Sequence, residues 1–251
     1  MTYDLRSILA GWEYEPGKIS VRKIVGRDGR EKIQTRVDLG VLQFEPDNRP
    51  DGVRPFGCES LLEYFELRLR EYIARHGSDE GFELSAQACH DLRNEAHLYY
   101  QRYLSFFVLE EFDKVERDTE RNLRVIDFVS LYGDDGHDCE ALESQRVYVM
   151  MMNTRARAYR EMAMEDFEAA LRCVEDGIEE LRGQLEESHY VDDFADIDEA
   201  PEIRVLESLR NEIYDKMPPT CPERLKRDLE DAIACEDYER AAQIRDQLQS
   251  R

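Results

Sequence analysis

The spacing of apolar positions changes along this chain. Ile33 to Leu39 alternates apolar and polar over seven residues, the period of a half-buried strand. Ile19 to Val25 precedes it, and Gly26-Arg27-Asp28-Gly29-Arg30 lies between them. Asp-Gly between two such runs predicts a β-hairpin. With Asp28-Gly29-Arg30 as the loop, Val25 faces Ile33 and Val21 faces Val37. Ile19, Val21, Val25, Ile33, Val37 and Leu39 then share one face, and Lys18, Arg22, Lys32, Gln34 and Arg36 share the other. Lys23 and Ile24 do not fit this register. An isolated two-stranded hairpin is marginal in water, so it must pack on something else.

From about Glu59 to Glu187 the period becomes helical. Leu62, Phe65, Leu69, Tyr72 and Ile73 form one stripe, stopped by His76-Gly77. Ala86, Cys89, Arg93, Ala96, Tyr100, Tyr103 and Phe107 form the next, and Val115, Leu123 and Ile126 continue it to Tyr132. Gly133 to Cys139 reads as a break. Leu142, Val149, Met152, Ala156, Tyr159 and Met162 follow on another helix, then Ala170, Val174, Ile178, Leu181 and Leu185 on the next. Proline placement agrees with this division: four prolines fall at positions 16 to 55, four at 201 to 222, and none between. An interior proline costs a helix about 3 kcal/mol, so the long helices belong in the proline-free block. Another helix is predicted from about Glu202 to Lys216. The expected fold class is mainly α with a small N-terminal β part. Its divisions are a hairpin region at 1–56, a helical body at 57–216, a linker at 217–222 and a terminal helical hairpin at 223–251.

One pattern recurs. Glu110-Glu111-Phe112, Glu165-Asp166-Phe167 and Glu236-Asp237-Tyr238 each put an acidic pair before an aromatic, with Val115, Ala170 and Ala241 three positions later. This suits a tight turn between two helices, the acidic residue capping or complementing the N-terminus of the next helix. The segments 99–128 and 152–181 resemble tetratricopeptide hairpins, but Phe112 and Phe167 stand 55 residues apart rather than about 34. Any such repeat is degenerate.

Charge narrows the class of partner. The chain has 57 acidic and 34 basic side chains and a formal net charge of −23, which repels polyanions at long range, whereas nucleic-acid affinity comes mostly from neutralised phosphates. Residues 17–36 are the exception, with seven basic side chains against two acidic. Three readings stay open for this island: a solvated face that blunts edge pairing, a docking surface for an acidic partner or nucleic acid through Arg22, Arg27, Lys32 and Arg36, or docking on the chain's own acidic helices. No apolar run approaches the length of a membrane span and Met1 to Gly11 carries no secretory signal. The expected location is cytoplasmic, with no membrane contact.

Sites for chemistry are sparse. The six cysteines are dispersed without a C-x-x-C pair and read as reduced thiols, several of them core filler. The five histidines give no metal-ligand spacing, and no phosphate-binding or nucleophile motif occurs. His137-Asp138-Cys139 puts an imidazole two residues from a thiol, but on a glycine- and aspartate-rich stretch with no third partner it does not read as a nucleophile. Asp192, Asp193, Asp196, Asp198 and Glu199 lack the spacing and glycine of a calcium loop and read as solvated. No catalytic residue, metal or cofactor is expected.

Beyond the linker, Leu225, Leu229, Ala232 and Ile233 make one short stripe. Tyr238, Ala241, Ala242, Ile244 and Leu248 make another, with Glu236-Asp237 between. Each helix has about three turns, too short to stand alone. Tyr238, Glu239, Ala241, Ala242, Arg245, Asp246 and Leu248 resemble the UVR motif, a helical hairpin known from the excision-nuclease subunits UvrB and UvrC and from assorted bacterial regulatory proteins. The P-loop and helicase segments of UvrB and the nuclease domains of UvrC are lacking, as are the paired C-x-x-C zinc motifs of the bacterial protein-arginine kinase activator, another bearer of this hairpin, so the resemblance is to the hairpin alone. It implies protein–protein contact, through apolar Leu225, Leu229, Ile233, Tyr238, Ala241, Ala242 and Leu248, with Glu239, Arg245 and Asp246 as polar partners. The expectation is a bacterial adaptor or regulatory protein that docks on a protein partner or pairs with a second copy. The alternative is a nucleic-acid-associated factor linked to excision repair.

Overall fold

A computed structural model describes residues 4–133, 136–187 and 197–249. The expected acidic-loop positions Asp192, Asp193 and Asp196 lie outside the described residues. The chain forms two compact units, residues 1–156 and 157–251.

The first unit opens with a short helix, α1 (Arg6–Leu9), and a three-stranded antiparallel sheet of β1 (Ser20–Val25), β2 (Glu31–Val37) and β3 (Gly40–Phe44) in the order β1-β2-β3. The third strand adds to the expected hairpin, and Asp38-Leu39 is the two-residue turn that folds it back. The expected register is corrected by two residues. Val25 pairs with Glu31, Lys23 with Ile33 and Val21 with Thr35, so all five residues from Gly26 to Arg30 form the loop. The loop is closed by Gly26 N–H to Arg30 O at 2.7 Å. A shift of two keeps the side-chain alternation, so Val21, Val25, Ile33 and Val37 still share one face, with Lys23 and Thr35 among them, but that face is not buried throughout. Ile33 is buried, but Val25 is 75% exposed and Leu39, at the turn tip, 91%. The basic and polar positions do share the other face: Arg22 pairs with Gln34, Ser20 with Arg36 and Ile24 with Lys32. That face is covered, with Lys32 and Gln34 both buried.

Four further helices lie wholly in this unit: α2 (Leu61–His76), α3 (Ala86–Val108), α4 (Phe112–Tyr132) and α5 (His137–Glu143). Ser60 caps α2 by accepting from Glu63 N–H, and Gly77 ends it in the left-handed conformation that the His76-Gly77 stop predicts. α3 and α4 form an antiparallel hairpin whose core holds Leu92, Ala96, Val125, Ile126 and Val129, with Leu62 of α2 and Leu142 of α5 against it. The expected break at Gly133 to Cys139 is shorter than read, because Gly136 N-caps α5 and Asp138 and Glu140 occupy its first turn. The next expected helix is in turn divided, since Ser144-Gln145 separates α5 from α6 (Arg146–Ala163), within which the unit boundary falls.

Buried charge ties these pieces together. Arg102 and Asp118, each 1% exposed, pair through Nε to Oδ2 at 2.7 Å and Nη2 to Oδ1 at 2.8 Å. The remaining Arg102 nitrogen donates to Glu45 O and Asn48 O, which fixes the loop after β3. Glu95 of α3 accepts from Leu61 N–H at 2.8 Å and Leu62 N–H at 3.4 Å. It thereby satisfies two amides that the start of α2 would otherwise leave unpaired. Arg49 and Arg121 meet the same carboxylate.

The second unit holds α7 (Phe167–Glu187), α8 (Pro201–Lys216), α9 (Pro222–Ala234) and α10 (Tyr238–Gln249). α7 packs on α8 and buries Val174, Ile178 and Leu181, while α8 buries Ile203, Leu206 and Ile213. The predicted helix from about Glu202 to Lys216 is α8.

Candidate partner-binding hairpin

The recurring acidic pair builds the same turn three times. Glu110, Glu165 and Glu236 all lie in the left-handed region, at φ 58, 60 and 59°. The residue after each donates five positions back: Glu111 N–H to Phe106 O at 3.0 Å, Asp166 to Glu161 at 3.0 Å, Asp237 to Ala232 at 2.8 Å. The left-handed residue itself donates three positions back, to Phe107, Met162 and Ile233. This pair of bonds is the Schellman closure of a helix C-terminus. The second acidic residue then starts the next helix. Asp166 and Asp237 cap it, accepting from Ala169 N–H at 2.9 Å and Arg240 N–H at 3.1 Å. Glu111 departs from the expected cap, because its longer side chain turns to Lys23 and Lys114 instead.

In the terminal hairpin this turn brings α9 and α10 side by side. Leu225, Ala232, Ala241 and Ile244 are buried between them, with Leu229 and Leu248 packed partly buried at the edge. Ala241 is the small residue that lets the helices approach. The positions expected to meet a partner therefore separate into two groups. Leu225, Leu229, Ala241 and Leu248 serve the hairpin's own core, and Ala242 is half-buried. Ile233 and Tyr238, which flank the turn, are 52% and 68% exposed, and Glu239, Arg245 and Asp246 are exposed on α10. Arg245 lies 3.5 Å from Asp246.

Sequence reasoning missed what anchors α9. Arg224 Nη1 donates to Met217 O at 2.5 Å and Asp215 O at 3.1 Å, and Arg227 lies over the Tyr214 ring, 4.8 Å from its centroid. The signal was available: two arginines three apart, beside a linker rich in carbonyls that its prolines leave without helical partners. At the start of α9 the ligand atoms of Glu168, Cys221 and Glu223 lie within 4.8 Å of one another. Cys221 Sγ donates to Glu223 Oε2 at 3.1 Å. Burial, aided by that bond, pushes the Cys221 thiol up, and the same bond holds the Glu223 carboxyl below its ordinary value. The arrangement favours a protonated thiol donating to a carboxylate.

The basic N-terminal positions are engaged within the first unit. Arg22 donates to Gln34 Oε1 at 2.7 Å and to Ile8 O at 3.0 Å, and stacks 3.9 Å over Trp12. Lys32 pairs with Glu45 and with Asp28, the latter at 3.0 Å. The hydrogen bond to Glu45 raises the Lys32 ammonium above its ordinary value. Arg36 donates to Val37 O and to Gly40 O at 2.9 Å. Lys23, not singled out from the sequence, reaches Glu111 at the α3–α4 turn. Arg27 is exposed in the loop. Among these contacts only Lys23–Glu111 reaches the helices; Lys32 meets carboxylates of the sheet and its loops, and Arg22 and Arg36 meet an amide and backbone carbonyls.

Residues 223–250 match the family model described as UvrB/uvrC motif. Compared with curated proteins and with solved structures, the chain has no match. Among the described residues, no helix is long and apolar enough to cross a membrane.

Proposed function

We propose that this chain is a non-catalytic adaptor or regulatory protein that docks on a protein partner, a second copy of itself included, through the α9–α10 hairpin. The observation that carries this reading is the pair of exposed apolar side chains, Ile233 and Tyr238, at the turn of a hairpin that matches the UvrB/uvrC motif. The hairpin's core is already filled by its own leucines and alanines, so these two are left for an outside surface. A buried Tyr removes some 150–250 Å² from water, and burial is worth about 25 cal/mol per Å². Covering the exposed two-thirds of Tyr238 therefore offers a few kcal/mol, enough for an interface anchor. Arg245 and Asp246 would supply the polar rim.

The alternative, a nucleic-acid-associated factor contacting phosphates through Arg22, Arg27, Lys32 and Arg36, draws less support because three of the four are held in intramolecular contacts. A link to excision repair would rest on the motif's name alone, which is analogy.

The test is the double variant I233D/Y238D in the full chain. Both positions are exposed, so the fold should be kept, with helicity and melting unchanged. Self-association by light scattering, or capture of a defined protein partner, should fall at least tenfold. Unchanged mass and unchanged capture would refute the reading. Gel shift at physiological salt addresses the alternative, which requires binding that is lost in the quadruple alanine variant of the basic positions.

A further inference from the structure

Two thiols that the sequence separates by 50 residues meet at the end of α4. Cys89 lies in the first turn of α3 and is fully buried, while Cys139 lies in the first turn of α5 and is partly exposed. Gly133, which ends α4, marks where they converge. A Cβ placed on it would sit 2.8 Å from Cys139 Sγ and 3.2 Å from Cys89 Sγ. The two sulfurs are therefore no farther apart than those two distances combined. They lie against the same point of backbone, on two helices that pack together. An ion pair beside them pins the same two helices: Arg93 Nε of α3 lies 2.6 Å from Asp138 Oδ1 of α5, and His90 Nδ1 lies 3.4 Å from the same oxygen. His90 and Asp138 are the immediate chain neighbours of the two cysteines, so this contact holds one thiol over the other.

We infer that Cys89 and Cys139 form a peroxide-responsive pair, Cys139 being the thiol that is oxidised and Cys89 the one that resolves it into a disulfide. The asymmetry of burial assigns the roles, since oxidation follows access to the thiol. A hydroperoxide reaches the partly exposed Cys139. Its thiolate attacks one peroxide oxygen, the O–O bond breaks, and Cys139 becomes a sulfenic acid as the peroxide is reduced to water or an alcohol. Cys89 is shielded from the reagent but lies beside the product. Its sulfur attacks the sulfenic sulfur, an S–S bond forms, and the S–O bond breaks. The departing hydroxide takes the thiol proton and leaves as water. Two thiols and one peroxide give one disulfide and two molecules of water, or water and an alcohol. The bond would staple the seven-residue α5 to the first turn of α3 and be reversed by a dithiol reductant. A short approach of the two Cβ atoms is needed for the bond.

The full chain treated with stoichiometric hydrogen peroxide and digested without reduction should yield one linked peptide carrying Cys89 and Cys139, two hydrogens lighter than the reduced pair. The other four cysteines, the exposed Cys235 included, should appear in no linked peptide. With dimedone present, label at Cys139 should be low in the unaltered chain and several-fold higher in C89S, where no resolving thiol remains. In C139S, Cys89 should stay unmodified and no linked peptide should form; this position is half-buried, so the variant keeps its fold even if C89S does not. After oxidation, hydrogen exchange across residues 137–143 should slow. Cys139 fully oxidised while Cys89 keeps its thiol, or Cys139 linked to any other cysteine, would overturn the assignment. Equal dimedone labelling in the unaltered chain and a folded C89S would do the same.

Discussion

Replacing Glu95 by Gln tests the claim that buried charge helps fasten α2 to the α3–α4 hairpin. The Glu95 side chain is fully buried and serves four groups: the Leu61 and Leu62 amides, Arg49 at 3.2 Å and Arg121. Glutamine keeps the shape but removes the charge and turns one acceptor into a donor aimed at donors. Arg121, whose guanidinium is pulled below the ordinary value by burial and by the neighbouring Arg102 charge, loses the carboxylate that opposes this, and Arg49 loses its inner partner. Removing one member of a buried ion pair costs about 3–5 kcal/mol, a large part of the roughly 5–15 kcal/mol that holds a domain together. The control is E66Q, whose partner Arg124 is 59% exposed and whose loss should cost about 0–1 kcal/mol. Urea unfolding followed by tryptophan fluorescence reads the right part of the chain, because the sole tryptophan, Trp12, lies in the first unit beside Ser20 and Arg22. E95Q should lower the midpoint with little change of slope, and exchange at the Leu61 and Leu62 amides should quicken more than at the end of α2. A loss under about 1 kcal/mol, or one equal to that of E66Q, would refute the reasoning.

Other outcomes follow from the turns and from pH. Glu110, Glu165 and Glu236 hold a left-handed conformation that glycine adopts without strain, so each Glu→Gly change should stabilise its unit by about 0.5–1 kcal/mol, read as a higher melting temperature. Asp237→Ala removes a side-chain cap and should cost about 1 kcal/mol, seen as lost protection in the first turn of α10. Gly133→Ala puts a methyl 2.6 Å from Val129 O and against both sulfurs; it should destabilise the first unit by about 1–3 kcal/mol in the same urea assay. At Glu111, burial pushes the carboxyl up but the hydrogen bonds from Lys114 and Lys23 outweigh it and hold it below 4.5. Its contribution is thus present above pH 4.5 and is lost as pH falls through the lower folded value. Lys23 is raised above 10.5 by its bond to Glu111, so its share is present below 10.5 and is lost as pH rises through the higher folded value. E111Q should flatten the acid limb of a stability-against-pH curve, and K23M the alkaline limb.

Local rules determined much of this protein. The helical stripes, the Gly77 stop, the proline-bounded hairpin α9–α10 and the recurrent acidic turn all depend on residues within one or two helical turns of each other, so spacing alone reveals them. The capping by Asp166 and Asp237 was legible for the same reason, while Glu111 went elsewhere because Lys23, far away in sequence, competes for it. Only the tertiary structure decided the strand register, since a five-residue loop and a three-residue loop suit the same alternation and leave the same side chains on each face. It likewise decided that Arg22, Lys32 and Arg36 are engaged internally rather than displayed, and which hairpin residues are core and which remain exposed. The meeting of Cys89 with Cys139 is of this kind too. It depends on where α4 ends beneath α5, a long-range packing outcome that no spacing of two lone cysteines encodes.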